Sequence, residues 1–134
     1  MAAVRSDQLE ISSSEDVVRV RSRVREAAVS LGFSLVDQTK VVTAASELAR
    51  NTYDYGGGGR FTLEALTNGS RNGLRLVFED DGPGIADVDR ALQDGFTTGG
   101  GLGLGLGGAR RLVSEFEIDS RPGHGTRITA TRWA

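Results

Sequence analysis

The chain has no cysteine, and this absence excludes disulfide scaffolds, thiolate zinc sites and cysteine nucleophiles. Thiol-free composition also suits a reducing compartment. No apolar run approaches the roughly 20 residues that a membrane-spanning helix needs. The first residues, MAAVRSDQLEIS, lack the apolar core of a signal peptide. We therefore expect a cytoplasmic protein that does not engage a membrane.

An excess of either charge is also lacking. Sixteen Lys and Arg residues stand against 18 Asp and Glu residues, so the formal net charge is -2. This balance argues against a nucleic-acid partner held by bulk electrostatics. The length of 134 residues and the hydrophobic fraction of 38% suit one core. We expect a single domain over residues 1–134.

Two helices are predicted in the first half of the chain. After a short strand at residues 8–12, Ser13 or Ser14 caps a helix whose apolar residues recur at three- and four-residue steps. We expect this helix to run to Leu31 and to stop at Gly32. The second helix covers about residues 35–55 and ends at the GGGG run that follows.

The second half of the chain predicts mainly strands. Apolar and polar residues alternate at 60–67 and at 74–79, as in half-buried strands. The segment between them, TNGSRNG, is typical of a turn, so the two strands are predicted to form a hairpin. A helix is expected to begin in or just after the glycine-rich segment and to run to about Glu115. FEIDS and TRITATRW then form closing strands around the turn RPGHG. The pattern predicts an α/β (α+β) two-layer sandwich, with a mixed, mainly antiparallel sheet covered by helices.

The first candidate site is SELARN in the second helix. Glu47 and Asn51 are four residues apart and share a helix face. A carboxamide oxygen suits Mg²⁺ and a carboxylate can accept a proton, so the pair suits phosphate chemistry. The alternative is an ordinary polar edge of an amphipathic helix.

The second candidate lies where the hairpin's second strand ends. Leu74, Leu76 and Phe78 share one parity with Asp80, so a core-facing row ends in a carboxylate that needs a partner when buried. Asp80 enters the turn DGPGI, whose glycines let a ligand approach the backbone closely. Such a carboxylate can accept a hydrogen bond from an exocyclic amine. The alternative is a common Asp-Gly turn.

The third candidate is GGGLGLGLGGARRL. Glycines that lead into a helix leave backbone N–H groups free for a phosphate. Gly103, Gly105 and Gly108 match G-x-G-x-x-G, but we expect no strand before them, so the dinucleotide-binding context is missing. The alternative is a flexible loop, against which the interspersed leucines argue. No role is assigned to His124, which lies in a turn.

The order of these motifs resembles the GHKL (Bergerat-type) ATP-binding fold of gyrase, Hsp90, histidine kinases and MutL. The resemblance covers nearly the whole chain. Among stand-alone domains the chain resembles the RsbT-type switch kinases of stressosome partner-switching systems, on SELARN and DGFTTGGGLG. Phe96, Thr97 and Thr98 run straight into Gly99, whereas anti-sigma kinases of the RsbW and SpoIIAB type usually carry a longer insertion there. The chain departs from the RsbT pattern at the end of the lid, where GLGG replaces a segment with proline.

The resemblance implies a role for each matched residue. Asn51 would coordinate Mg²⁺, Glu47 would orient or deprotonate the attacking hydroxyl, and Asp80 would bond the adenine amino group. Gly82 and Gly84 would make room for the base, Thr126 would support the adenine site, and Gly101, Gly103 and Gly105 would wrap the phosphates. The other nucleotide-binding residues would be Ile85, Thr97, Thr98, Leu102 and Leu104.

The activity implied is ATP-dependent phosphorylation of Ser or Thr on a STAS-domain partner, with activation of a PP2C-type phosphatase as a further role. The alternative from another class is an anti-sigma factor of the RsbW or SpoIIAB type that binds a sigma factor. A third reading is a degenerate domain that binds no nucleotide, against which the intact Glu47, Asn51 and Asp80 argue.

Overall fold

The computed structural model describes residues 2–92, 97–98, 102–103 and 105–134. Its elements in chain order are β1 (Ala2–Ile11), α1 (Ser14–Ser30), α2 (Leu35–Asp54), β2 (Gly59–Asn68), β3 (Arg71–Asp80), α3 (Val88–Ala91), β4 (Thr97–Thr98), β5 (Leu102–Gly103), α4 (Leu106–Arg111), β6 (Glu115–Ser120) and β7 (Thr126–Trp133).

Five strands form one sheet in the order β1-β2-β3-β7-β6, and every neighbouring pair is antiparallel. Helices α1 and α2 pack against each other and cover one face of this sheet, while α4 packs beside α2. The predicted two-layer architecture is confirmed. None of the described helices is long and apolar enough to cross a membrane.

The ends of α1 follow the predicted capping signals. The Asp16 carboxylate accepts hydrogen bonds from the backbone N–H groups of Ser12 and Ser13, at 2.9 and 3.1 Å, and the Ser12 bond is the largest cause of its lowered pKa. At the other end Gly32 adopts a φ of +79°, and Phe33 N–H donates to Ala28 O at 3.0 Å. This pattern is a Schellman motif, for which a left-handed glycine is the usual residue.

The core lies between the helices and the sheet face that is formed by alternate residues of each strand. Leu74, Leu76 and Phe78 are buried, as their alternation predicts, and the Phe78 ring stacks on Phe61 across the β2–β3 pair at a centroid distance of 4.8 Å. Burial of the paired row fixes the register, since a one-residue slip would turn every apolar side chain of a strand to the other face. Asp80 is therefore held on the helix-covered side.

Three predicted elements differ from the structure. The expected helix to Glu115 is wrong, because α4 ends at Arg111 and Glu115 pairs with Thr131 in the sheet. The first strand begins at Ala2 rather than at residue 8, since pairing with β2 extends it. The expectation of no strand before the G-x-G-x-x-G match is also wrong, because β4 and β5 form a two-residue antiparallel ladder.

Candidate functional site

Asp80 is the last residue of β3 and lies at the end of the buried row. Its cross-strand neighbours are Gly59 on β2 and Thr126 on β7. Asp80 is 8% exposed and Thr126 is 5% exposed. Directly paired residues of an antiparallel sheet project from the same face. The two polar groups are therefore side by side, under the helix layer and at the edge of the core.

Burial raises the pKa of the Asp80 carboxyl, and two backbone hydrogen bonds oppose this effect. Gly82 N–H donates to Asp80 Oδ1 at 2.9 Å, and the backbone of Thr126 supplies the other bond. The neighbouring negative charge of Asp81 raises the pKa further. These two bonds leave lone pairs on the carboxylate for a ligand that donates.

Glycine backbone packs directly against this carboxylate. A Cβ on Gly56 would lie 2.6 Å from Asp80 Oδ2, and a Cβ on Gly82 would lie 2.8 Å from Gly56 Cα. Any side chain at either position would therefore displace the Asp80 carboxyl or the turn after it. Gly56 is not among the predicted site residues, because the sequence indicates only that it ends a helix. The available signal was a run of four glycines directly after the helix that carries Glu47.

The DGPG turn is held by two hydrogen bonds and one close backbone contact. Tyr55 Oη donates to Gly84 O at 3.0 Å, and Gly123 N–H donates to Pro83 O at 2.7 Å. Gly84 has a φ of +75°, and a Cβ there would collide with the Arg121 carbonyl. Ile85, which follows, is 5% exposed. The turn after Asp80 is thus fixed rather than a free connection.

Ser120, the last residue of β6, connects this turn to β7. Ile85 N–H donates to Ser120 Oγ at 2.7 Å. The same hydroxyl lies 3.1 Å from Gly125 O and 2.7 Å from Thr126 Oγ1. Ser120 and Thr126 are cross-strand partners, so the row that begins at Asp80 continues through Thr126 to Ser120.

Helix α2 carries the other two candidate residues at different depths. Asn51 is 5% exposed, whereas Glu47, one turn earlier, is exposed. The Asn51 carbonyl accepts from Tyr55 N–H and Gly56 N–H, at 2.9 and 3.2 Å, and so ties the end of α2 to the glycine that lies on Asp80. The structure thus links the SELARN and Asp80 candidates through Gly56, which bonds the Asn51 backbone and lies against the Asp80 side chain.

Gly105 places the start of α4 against Glu47. Gly105 is the N-cap of α4, and its left-handed φ of +69° is a conformation that residues other than glycine adopt at a cost. A Cβ on Gly105 would lie 2.5 Å from Glu47 Oε2. The end of the glycine-rich segment and the exposed carboxylate are therefore in direct contact.

Replacing Gly105 with Ala is expected to lower the phosphoryl transfer that the resemblance implies by at least about tenfold, because the methyl would displace the Glu47 carboxylate from its position and misplacement of this order can cost about 10²-fold. The measurement is the initial rate of partner phosphorylation at saturating ATP. Gly108→Ala is the matched control, since Gly108 lies in the same helix and a Cβ there meets nothing within 4 Å. Equal rates for the two variants would contradict the proposed contact.

Several predicted phosphate-binding positions are placed less fully. Gly101 and Leu104 lie outside the described residues. Thr97, Thr98, Leu102 and Gly103 are placed only as backbone, in the β4–β5 ladder. This ladder pairs Thr97 with Gly103 and Thr98 with Leu102, and the roles of these residues remain predictions.

The described residues would offer a metal ion few protein ligands. Among the described residues, no group of three or more His, Cys, Asp or Glu side chains is arranged to hold a metal ion. Mg²⁺ in nucleotide sites commonly takes one or two protein oxygens together with phosphate oxygens and water. The amide of Asn51, buried one turn from Glu47, fits that sparse requirement.

Residues 36–133 match the family model of histidine kinase-, DNA gyrase B-, and HSP90-like ATPases. The chain is 47% identical over 118 residues to the serine/threonine-protein kinase RsbT of Bacillus subtilis, a match that covers 88% of this chain and 89% of that protein. It is 30% identical over 124 residues to an anti-sigma F factor of Clostridium kluyveri, which covers 88% of this chain and 86% of the relative.

Solved structures show the same fold. A crystal structure of RsbU and RsbW domains from Mycobacterium tuberculosis superposes with a TM-score of 0.66 at 23% identity, and it covers 96% of this chain. The chain spans 32% of that longer protein. The catalytic domain of the histidine kinase ThkA superposes with a TM-score of 0.54 at 16% identity, covering 94% of this chain and 95% of that domain.

Proposed function

The chain belongs to the histidine kinase-, DNA gyrase B-, and HSP90-like ATPase family and, within it, to the RsbT-type serine/threonine-protein kinases, and we propose that its substrate is a Ser or Thr hydroxyl of a STAS-domain protein. Transfer from ATP to that partner would operate a partner-switching pathway of the stressosome type in the cytoplasm. Activation of a PP2C-type phosphatase is the further role that we assign to it.

The observation that carries the proposal is the exposed carboxylate of Glu47 in contact with the start of α4. A substrate hydroxyl that arrives on another protein can reach an exposed group, whereas Asn51 and Asp80 are buried. A catalytic base must come within about 2.6–3.2 Å of the hydroxyl whose proton it accepts. Glu47 is the one acidic member of the candidate set that is open to a protein partner.

The buried residues would hold the nucleotide. Asp80 would accept from the adenine amino group, with Thr126 beside it and Gly82, Gly84 and Ile85 forming the wall. Gly105 and the preceding glycines would surround the phosphates, and Asn51 would supply an oxygen to Mg²⁺. Phosphoryl transfer depends mainly on positioning and charge neutralisation, so a small set of groups suffices.

The test is a phosphorylation assay with purified STAS proteins and labelled ATP, paired with a pull-down from cell extract. We expect a phosphoprotein whose label is lost when its acceptor Ser or Thr becomes Ala. Recovery of a sigma factor without a STAS protein, and without any phosphoprotein, would favour the anti-sigma function. That second candidate is kept because anti-sigma F factors are among the relatives.

Charge reversal at Arg50 is expected to weaken phosphorylation of the partner by about fivefold or more while leaving ATP affinity unchanged. Arg50 is exposed and lies three residues after Glu47, on the side of α2 that a docked protein must cover. Charges that face each other across a protein interface are complementary, so reversing one of them sets like charges together and weakens association. The measurement is kcat/KM for the partner, with ATP affinity from calorimetry.

Arg71→Glu is the control for Arg50→Glu. Arg71 is exposed, starts β3 and lies about 30 Å along the strand from Asp80. It undergoes the same change of charge at the opposite end of β3 from Asp80. A loss of kcat/KM that is equal in both variants would reflect overall charge and would remove Arg50 from the docking surface.

A further inference from the structure

We propose that Ser120 is a positioning residue that makes the nucleotide site selective for a base with an exocyclic amine. It does so by fixing the direction of the Thr126 hydroxyl proton. The inference rests on the proposed adenine site at Asp80, which it deepens. Ser120 itself does not need to contact the base.

The three contacts of Ser120 Oγ determine where the protons lie. A hydroxyl has one proton and two lone pairs. Gly125 O can only accept, so Ser120 must donate to it across 3.1 Å. Ile85 N–H can only donate, and it occupies one lone pair of Ser120 Oγ at 2.7 Å. The remaining contact, 2.7 Å to Thr126 Oγ1, is satisfied only if Thr126 donates to Ser120.

The proton assignment leaves Thr126 as an acceptor. Its single proton points to Ser120, so the lone pairs of Thr126 Oγ1 are what it can offer to a ligand. Asp80, its cross-strand neighbour, is also an acceptor when ionised. The two groups form an edge that carries no proton. An amine with two N–H groups matches such an edge, whereas a carbonyl oxygen in the same place would face lone pairs.

Gly125 and Ile85 hold the Ser120 hydroxyl in place. Gly125, whose carbonyl takes the Ser120 proton, has a φ of +77°, and a Cβ there would collide with the Asp80 carbonyl. Ile85, whose N–H fixes the other side, is buried behind the DGPG turn. The hydroxyl of Ser120 is therefore held between two backbone groups, and rotation away from Gly125 O would leave that carbonyl without this bond.

The experiment compares ATP with inosine triphosphate, which carries a carbonyl oxygen where ATP carries the amine. Affinities for both are measured by calorimetry on the full chain. In the Ser120→Ala variant Thr126 regains a free proton and can donate to the carbonyl. We expect the ratio of ATP affinity to inosine triphosphate affinity to fall at least about fivefold, the lower end for one mispaired buried group.

Three variants separate this role from a structural one. Ser120→Thr keeps the hydroxyl and should retain the wild-type ratio. Ser114→Ala removes a serine hydroxyl that accepts from Trp133 N–H at 3.1 Å, away from Asp80, and should also retain it. Thr126→Val should lower the ratio by itself, and adding Ser120→Ala to it should change the ratio no further.

The outcomes are distinct. An unchanged ratio in Ser120→Ala, or a loss of affinity that is equal for both nucleotides, overturns the inference. If Ser120→Ala does not fold, Thr126→Val decides, since an unchanged ratio there overturns it as well. Failure of the adenine site itself would appear separately, as wild-type ATP affinity in an Asp80→Asn variant.

Discussion

Replacing Glu47 with Gln is expected to lower the rate of partner phosphorylation by about 10²–10⁴, the usual contribution of a positioned general base. The amide keeps the size of the side chain, so its packing against Gly105 is preserved. It removes the ability to accept a proton from the attacking hydroxyl. ATP affinity should stay at the wild-type value, because Glu47 lies on the exposed side of α2, away from Asp80.

The measurement is single-turnover phosphorylation at saturating ATP, which separates chemistry from product release. Asp54→Asn is the matched control, since Asp54 is an exposed carboxylate two turns further along α2. It should phosphorylate at the wild-type rate. A Glu47→Gln variant that also works at the wild-type rate would show that transfer proceeds without a base at this position.

The strand-end carboxylate could be predicted because parity is a strict rule. Once Leu74, Leu76 and Phe78 are placed on the core side, the pleat fixes Asp80 on that side as well, and the structure has it 8% exposed. The end of α1 was equally predictable. Gly32 follows the last apolar residue of the periodic pattern, and a left-handed glycine there completes the cap.

Features made by tertiary contact could not be predicted. From the sequence, Gly56 is predicted only to end a helix. Its importance comes from close contact with the Asp80 side chain, which is 24 residues away in the chain. Ser120 reads as one polar residue in a strand, and only the turns folded around it reveal three contacts to one hydroxyl. Local sequence patterns carry no information about close contacts between residues that are distant in the chain.

Helix α4 is shorter than the sequence predicts. The helix was expected to reach about Glu115, whereas α4 ends at Arg111. Gly107 and Gly108 weaken a short helix, since each glycine costs about 0.8–1.0 kcal/mol relative to Ala. The next segment instead pairs with β7, with Phe116 opposite Ala130. Sheet pairing therefore prevailed over a weak local preference.

Replacing Asp80 with Asn is expected to reduce ATP affinity by at least about fivefold while the protein remains folded. The carboxylate accepts from Gly82 N–H, and an amide oxygen can keep that bond. The amide NH₂ would then face the adenine amino group, so that two donors meet where a donor and an acceptor met. A mispaired buried group costs about 1–3 kcal/mol, which corresponds to roughly 5–150-fold in affinity.

The stability of the Asp80→Asn variant, unlike its ATP affinity, should not decrease. Burial raises the folded-state pKa of Asp80 above its ordinary value, so the folded protein binds this proton more tightly than the unfolded chain does. The stabilising contribution of the carboxyl is therefore complete below the unfolded-state pKa and is lost as the pH rises through the folded-state pKa. At neutral pH the ionised group is a cost that the Asn variant lacks, and its Tm should not fall below that of the wild type.

The pH dependence of binding provides a second measurement of the same residue. As the pH falls through the raised pKa of Asp80, the wild-type carboxyl takes up a proton and becomes a poorer acceptor, so ATP affinity should weaken. The Asn variant cannot titrate there and should show a smaller pH effect. Asp81→Asn, the same change at the adjacent exposed carboxylate, is the control that should retain the affinity at neutral pH. Because the charge of Asp81 contributes to the raised pKa of Asp80, its pH profile should keep its shape and move to lower pH. If Asp80→Asn binds ATP as tightly as Asp81→Asn does, adenine is recognised by other groups, and the buried carboxylate serves only to hold the turn at Gly82.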